Sequence, residues 1–331
     1  MTVLVTGGAG YIGSHMVLAL VDSGQDVVVL DDLSTGFPWM VHPKATFIKG
    51  DCGDEALVSR IIQDHRIEAI AHFAGSIVVP DSVVDPLGYY LNNTVKSRAL
   101  ISAAVRNDVR RFIFSSTAAV YGDAKESPIS ESTPLNPVSP YGMSKLMTEL
   151  MLRDTAAAHP LSYVILRYFN VAGADPQCRS GQSSRRATHL IKVATQAALG
   201  DRPYLDIFGT DYPTADGTCE RDYIHVSDLA HAHLLALDYL RGGGKSAVLN
   251  CGYGRGYSVR AVIDAVKRVS GVVFDVRLAE RRAGDPATLV ADPTAIRDRL
   301  KWEAKLDHLD TIIAHALAWE EALKGRSSEA A

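Results

Sequence analysis

The run Gly7-Gly8-Ala9-Gly10-Tyr11-Ile12-Gly13, directly after the apolar stretch Val3-Leu4-Val5, limits more than any other feature what this chain can become. Glycine permits a tight turn and lets the backbone approach a pyrophosphate, whose charge then rests on free N–H groups at the positive end of a helix. Strand, glycine turn and helix start, in that order, open a parallel βαβ unit. Gly7, Gly10, Tyr11, Ile12 and Gly13 are therefore candidate nucleotide-binding positions. Asp31 ends the next β-branched run, about 20 residues further on, where a carboxylate accepts both hydroxyls of an adenine ribose and repels a 2′-phosphate. With Asp32 beside it and no lysine or arginine before Lys44, NAD is expected rather than NADP. Asp51, after the third strand, either approaches the adenine or closes a turn.

Up to about residue 170, β-branched runs at 3–6, 27–30, 46–49, 69–73, 111–115 and 163–168 alternate with longer stretches, notably 11–23, 86–107 and 142–158, that read as helices. This is the rhythm of parallel strands joined by crossover helices. The expected fold class is α/β: a doubly wound parallel sheet of Rossmann type with a second, smaller mixed α/β domain. A polar stretch at 175–186 follows, then a helix-like run at 187–199 and a Gly/Pro/Asp-rich segment at 200–217. Strands at 223–226 and 248–252, around an apolar helix at 227–241, suggest a return to the first sheet. The expected division is 1–170, rejoined by 219–252, for the cofactor, and 171–218 with 253–331 for a substrate. Gly242-Gly243-Gly244-Lys245-Ser246 ends like a phosphate-binding loop, but Tyr239 stands where its first glycine belongs, so it reads as a linker. The polar tail, 325–331, is expected to fray.

Charge removes other classes. Lys+Arg of 34 against Asp+Glu of 38 gives a net −4, without the basic field that nucleic acid or anionic lipid requires. No apolar run approaches the roughly 18 residues of a membrane span, and the strand-like start leaves no room for a signal peptide. Cys52, Cys178, Cys219 and Cys251 form no C-x-x-C pair, which argues against a disulfide framework or zinc knuckle and for a reducing, cytoplasmic setting. His231 and His233 stand two apart in a helix-like run, on different faces, so no metal is expected.

Chemistry enters with Tyr141-Gly142-Met143-Ser144-Lys145, which opens a helix after Pro134, Pro137 and Pro140. A spacing of four places Tyr141 and Lys145 on one face. A nearby ammonium favours phenolate, drawing the tyrosine from about 10 towards neutrality, where it exchanges an alcohol proton during hydride transfer. Upstream, Ser115-Ser116-Thr117 ends a buried strand at the edge where doubly wound sheets bind ligands. Thr117, Tyr141 and Lys145 are the candidate catalytic residues.

Together these features resemble the short-chain dehydrogenase/reductase superfamily in its extended, sugar-nucleotide-modifying branch. Residues 2–320 resemble the UDP-glucose 4-epimerase family there, on Val-Thr-Gly-Gly-Ala-Gly-Tyr-Ile-Gly-Ser-His at 5–15, His-Phe-Ala-Gly at 72–75 and Tyr-Gly-Met-Ser-Lys at 141–145. Arg-Tyr-Phe-Asn at 167–170, Ile-Phe-Gly-Thr-Asp-Tyr-Pro-Thr at 207–214 and Arg-Asp-Tyr-Ile-His-Val at 221–226 match as well. The resemblance implies that Phe73, Ala74, Gly75, Asn93, Ser115, Tyr141, Lys145 and Tyr168 join the glycine loop, Asp31 and Asp51 around NAD. It makes Thr117 the catalytic hydroxyl, Tyr141 the base and Lys145 the ribose-binding and tuning cation. Asn170, His189 and Leu190 fall on the diphosphate side of a UDP-sugar, Ile207 and Phe208 by the uracil, Arg221 and Arg282 on phosphate and Asp285 on the uridine ribose. From the residues alone, Phe208 reads equally as core, and Arg221 and Arg282 as solvated or paired with Asp222 and Asp285. Departures are Ser76-Ile77-Val78-Val79, where a lysine contact is missing; His189, in place of an asparagine; and Leu289, at a position that limits sugar size.

The implied reaction interconverts UDP-glucose and UDP-galactose: Tyr141 takes the 4-hydroxyl proton, C4 gives hydride to NAD, the bound 4-ketose rotates, and hydride returns to its other face. Alternatives are a 4-epimerase of UDP-N-acetylhexosamine or UDP-pentose, a UDP-4-ketosugar reductase, and a non-catalytic nucleotide sensor, against which intact Thr117, Tyr141 and Lys145 weigh. Dehydratases and decarboxylases need an acid beside the strand-end hydroxyl, whereas Thr117 is followed by Ala118, Ala119 and Val120. The resemblance further implies a homodimer packed through 86–107 and 142–158.

Overall fold

The computed structural model describes residues 1–124, 126–184, 188–282 and 285–329. In chain order its strands and helices begin with β1 (Thr2–Thr6), α1 (Tyr11–Asp22), β2 (Asp26–Asp31), β3 (Thr46–Lys49), α2 (Glu55–His65), β4 (Ile67–His72), α3 (Val79–Val84) and α4 (Pro86–Tyr89). They continue with α5 (Lys96–Arg106), β5 (Arg111–Thr117), α6 (Pro140–Ala158), β6 (Ser162–Tyr168), β7 (Asn170–Ala172), α7 (Leu190–Ala198), β8 (Leu205–Phe208) and β9 (Glu220–His225). The last are α8 (Val226–Arg241), β10 (Ala247–Cys251), β11 (Gly256–Ser258), α9 (Val259–Ser270), β12 (Val276–Ala279), β13 (Thr288–Leu289), α10 (Thr294–Leu300) and α11 (Leu309–Glu329).

A seven-stranded sheet in the order β10-β6-β5-β4-β1-β2-β3 organises the molecule, and its paired strands are all parallel. Alternation along each strand explains why the runs are nearly all apolar: Val3 and Val5 enter the core beneath α1 and α8, and Leu4 enters the opposite core beneath α2 and α5. The order reverses between β1 and β4, which makes the carboxyl edge at that point the crevice of a doubly wound sheet. Thr6, Asp31, His72, Thr117 and Tyr168 end strands along that edge.

Three expectations change. Residues 223–225 of the expected strand lie in β9, which joins a second sheet with β7, β11 and β13, and Val226 opens α8; only β10 returns to the first. The reason is local: β7 leaves β6 after one residue, Phe169, and offers β9 a parallel partner outside the main sheet. The helix at 86–107 is broken by a π-helical stretch, Tyr90–Val95, which brings Asn92 and Asn93 both onto Ser76. The tail remains helical as far as Glu329; residues 330–331 lie outside the described residues. The glycine run 242–244 is the turn between α8 and β10, with Gly243 at φ +81°. No described helix is long and apolar enough to cross a membrane.

Four histidines lie in this core as neutral rings. Burial pulls His15 down to about 4, His72 to about 3, His225 to about 3 and His233 to about 4, from an ordinary 6.5. Because their folded values are depressed, the unfolded chain takes up protons first on acidification. Stability is then present above about 6.5 and is lost progressively as pH falls towards 3, at roughly 1.4 kcal/mol per pH unit for each ring. Melting temperature should therefore drop steeply between about pH 6 and pH 4. His15→Asn keeps a donor for the Tyr11 carbonyl, which His15 Nδ1 meets at 2.7 Å, and should flatten that slope by about one ring's share.

Candidate active site

At the end of β1 the chain turns at Gly7, with φ +73°, and the Gly7 N–H reaches the Leu30 carbonyl at 2.9 Å. Backbones crowd here: a Cβ on Gly7 would lie 2.6 Å from Ala74 N, and one on Gly13 would lie 2.1 Å from Gly7 O. Gly10 caps α1 without a side-chain acceptor, and the first turn holds no acid. The N–H groups of Tyr11, Ile12 and Gly13 thus remain for an anion. Asp31 accepts from Ala9 N at 3.0 Å and Leu33 N at 2.8 Å; burial pushes its carboxyl up, and those two donors pull it back. The Tyr11 hydroxyl donates to Gly173 O at 2.6 Å, so this residue offers a ligand its backbone. Asp51 closes a turn onto Gly53 N at 2.8 Å and pairs with Lys96 at 2.7 Å; burial opposes, but the lysine holds its carboxyl low.

Ser139 caps α6 by accepting from Gly142 N at 3.2 Å, and Pro140 opens the helix, so Tyr141 sits in its first turn. Its hydroxyl faces the Thr117 side chain. Lys145 donates to the Ser115 carbonyl at 3.0 Å, and its Nζ lies 5.0 Å from the Phe114 ring centre. A Cβ on Gly75 would lie 3.6 Å from that ammonium and 3.0 Å from Asn93 Oδ1. Asn93 holds Ser76 twice, accepting from its N–H at 2.7 Å and donating to its carbonyl at 2.9 Å, and donates to Ser144 Oγ at 3.0 Å. The Ser115 hydroxyl bonds Tyr168 Oη, while the Phe73 ring lies tilted against His233 with centres 4.8 Å apart. Glycine loop, Gly75, Asn93, Thr117, Tyr141 and Lys145 thus share one crevice.

The expected acidification of Tyr141 is corrected. Burial pushes the phenol up to about 12, against the pull of Thr117, because the Lys145 ammonium is directed to the Ser115 carbonyl. Burial in turn draws Lys145 down to about 8.

Further along, Asn170, His189 and Leu190 line one cavity with Gln182, Lys192 and Glu320. Gln182 Nε2 meets His189 Nδ1 at 2.7 Å. Ile207 packs its side chain into the core, whereas Phe208 carries the Arg282 guanidinium 3.8 Å above its ring. Arg221 and Asp285 face each other at 3.5 Å, the pairing that the residues alone allowed, while Asp222 accepts instead from Tyr253 N and Gly254 N at 3.0 and 2.9 Å. Leu289 pairs with Arg221 in the second sheet. No cluster able to hold a metal occurs among the described residues.

This geometry has close counterparts. The family described as NAD dependent epimerase/dehydratase matches residues 3–252. The chain belongs to that family. A UDP-glucose 4-epimerase of Azospirillum brasilense is 58% identical over 97% of this chain and 92% of its own length. The crystal structure of UDP-glucose 4-epimerase from Brucella ovis in complex with NAD is 43% identical, covers 96% of this chain and 97% of that one, and superposes with a TM-score of 0.93. The UDP-Glc/GlcNAc 4-epimerase of Campylobacter jejuni is 47% identical over 97% of this chain and 99% of that one, with a TM-score of 0.85.

The crevice suits the family's dinucleotide. Only glycine fits the approach of positions 7 and 13, the first turn of α1 presents donors, and the acid at the end of β2 favours a ribose over its phosphate. The sequence analysis placed His72 and Ser144 inside motifs and Ser76 at a departure without giving them a role, and it did not single out Asn92 or Glu149. Asn92 donates to Ser76 Oγ at 2.9 Å, Ser144 to Tyr141 O at 2.7 Å, and His72 Nδ1 meets Thr6 Oγ1 at 2.6 Å. Two signals existed: adjacent asparagines in a helix-like run, and Glu149 four residues beyond Lys145. Gly13→Ala should leave a chain that retains less than about a tenth of the wild-type NAD, measured after denaturation by enzymatic cycling, because its Cβ has no room.

Proposed function

We propose that this chain is an NAD-dependent isomerase that interconverts UDP-glucose and UDP-galactose at C4. Tyr141 facing Thr117 at the end of β5, with Lys145 and the glycine cradle beside them, carries this reading. NAD, held by the glycine cradle and Asp31, would supply the hydride acceptor and donor for C4 and a positive charge in the crevice. Tyr141 Oη takes the proton of the sugar 4-hydroxyl and gives it back. Thr117 faces the same oxygen, and Lys145, still protonated below about pH 8, fixes the end of β5 through the Ser115 carbonyl. Asn170, His189 and Leu190 hold the diphosphate side, Arg221 and Arg282 its phosphates, Asp285 the ribose, and Phe208 with Ile207 the uracil. Anchoring through the nucleotide leaves the sugar free to present either face. Ala118 and Val120 are buried in the turn after Thr117, which leaves no acid there for elimination.

A second reading has its own observation: Leu289 lines the apolar cluster of Ala118 and Val120 with a side chain of moderate size, and the Campylobacter jejuni relative is named for both UDP-Glc and GlcNAc. N-acetylated hexoses and pentoses therefore belong in the assay. A panel of UDP-sugars incubated without added cofactor should yield both C4 epimers; stoichiometric consumption of added NADH would instead identify a 4-ketose reductase.

The cofactor is assigned to 1–170 with 226–252, and the UDP-sugar to 171–225 with 253–331, because β9 pairs in the second sheet. Buried Cys52, Cys219 and Cys251 suit a reducing cytoplasm. A homodimer is supported by an apolar face: Val84 is 87% exposed and Leu87 78%, with Leu91 and Val95 in the π-helical stretch and Met147 and Leu150 on neighbouring α6 also open.

Tyr141→Phe should keep wild-type NAD content while turnover falls by roughly 10²–10⁴, since only the proton-carrying oxygen is lost; near-normal turnover would remove Tyr141 from the mechanism. Val84→Asp combined with Leu87→Asp should convert the dimer to a monomer in light scattering after size exclusion.

A further inference from the structure

Glu149 and Arg167 form a buried ion pair in a part of the molecule that the reaction does not visibly use. Their side chains are 4% and 5% exposed, and the guanidinium approaches the carboxylate at 2.5 Å from one nitrogen and 3.0 Å from Nε. Such a pair is a weak source of stability, because desolvation offsets the attraction. Its placement is more informative. Glu149 stands four residues beyond Lys145 and eight beyond Tyr141, on the same face of α6. Its carboxylate also accepts from Ser116 Oγ at 2.5 Å. Ser116 separates Ser115, whose carbonyl holds Lys145, from Thr117, which faces Tyr141. Neighbouring strand residues face opposite ways, so fixing Ser116 on one side sets the height of Ser115 and Thr117 on the other. Arg167 precedes Tyr168, the partner of the Ser115 hydroxyl, and is held from behind by Tyr121 Oη at 3.0 Å, which itself donates to Asn250 at 2.6 Å.

We propose that Glu149 is a positioning residue: anchored by Arg167, it clamps the third turn of α6 to Ser116 and so sets the register between Tyr141 and Thr117. The proposal rests on the catalytic reading above for its consequence and on the hydrogen bonds for its geometry. A clamp of this kind acts on turnover more than on binding, because Glu149 bonds, among the described residues, only Ser116 and Arg167 and leaves the glycine cradle and Asp31 untouched.

The test uses the holoenzyme in three variants. Ser116→Ala removes one hydroxyl and leaves the ion pair whole, so the chain folds. Glu149→Gln removes the charge and leaves Arg167 without its counterion. Leu152→Ala makes a cavity at a fully buried position one turn further along α6 and supplies destabilisation without touching the clamp. In protein labelled with ¹³Cζ-tyrosine, the Tyr141 resonance is identified by its loss in Tyr141→Phe. That resonance should move in Ser116→Ala and further in Glu149→Gln, and should stay in place in Leu152→Ala. Turnover should fall roughly tenfold and hundredfold in the first two, with KM and NAD content within about threefold of wild type. In a Tyr141→Phe background neither variant should lower turnover further, because no phenol oxygen is left to position. An unmoved resonance in both clamp variants, or the same displacement in Leu152→Ala, overturns the proposal. A wild-type chain that epimerises no UDP-sugar defeats the catalytic reading, while the resonance still decides the clamp.

Discussion

The contact between the Gly13 α-carbon and the Gly7 carbonyl governs the placement of everything else. Helix α1 can enter directly off strand β1 only where two backbones meet without side chains, and that entry aims its free N–H groups at the crevice. Any larger residue would push the helix away from the sheet, and with it the face that supports α8 and the second sheet. The nucleotide site and the packing of the first layer are thus two results of one steric limit.

That limit explains why so much was legible. Glycines at fixed spacing after a β-branched run have few structural uses, and strands buried on both faces announce themselves by continuous apolar residues. All six strands of the first 170 residues occur within two residues of their expected bounds. The Tyr141–Lys145 spacing was readable because a helix repeats its face every four residues. Where pattern failed, the deciding partner lay far off in sequence. Residues 223–225 look like any buried strand, and only β7, some fifty residues earlier, draws them into the second sheet. The π-helical break at Tyr90–Val95 depends on Ser76, and the state of Tyr141 on how deeply α6 sinks beside β5.

Burial works against charge throughout the catalytic edge. Burial pushes the phenol up and draws the lysine down, so low polarity favours the neutral form of each. A site arranged in this way reserves its reactive protonation state for the moment when cofactor charge and substrate oxygen are both present. It also limits side reactions with solvent, since an unassisted phenolate scarcely forms.

The side chains proposed to face the nucleotide already have partners: Arg282 lies over Phe208, and Arg221 faces Asp285. If a uridine diphosphate is gripped by these four groups, it enters by exchange, trading each existing contact for one of its own. Its measured affinity is then a difference between two sets of contacts, and weakening the internal set would tighten the ligand without adding a single new interaction to it.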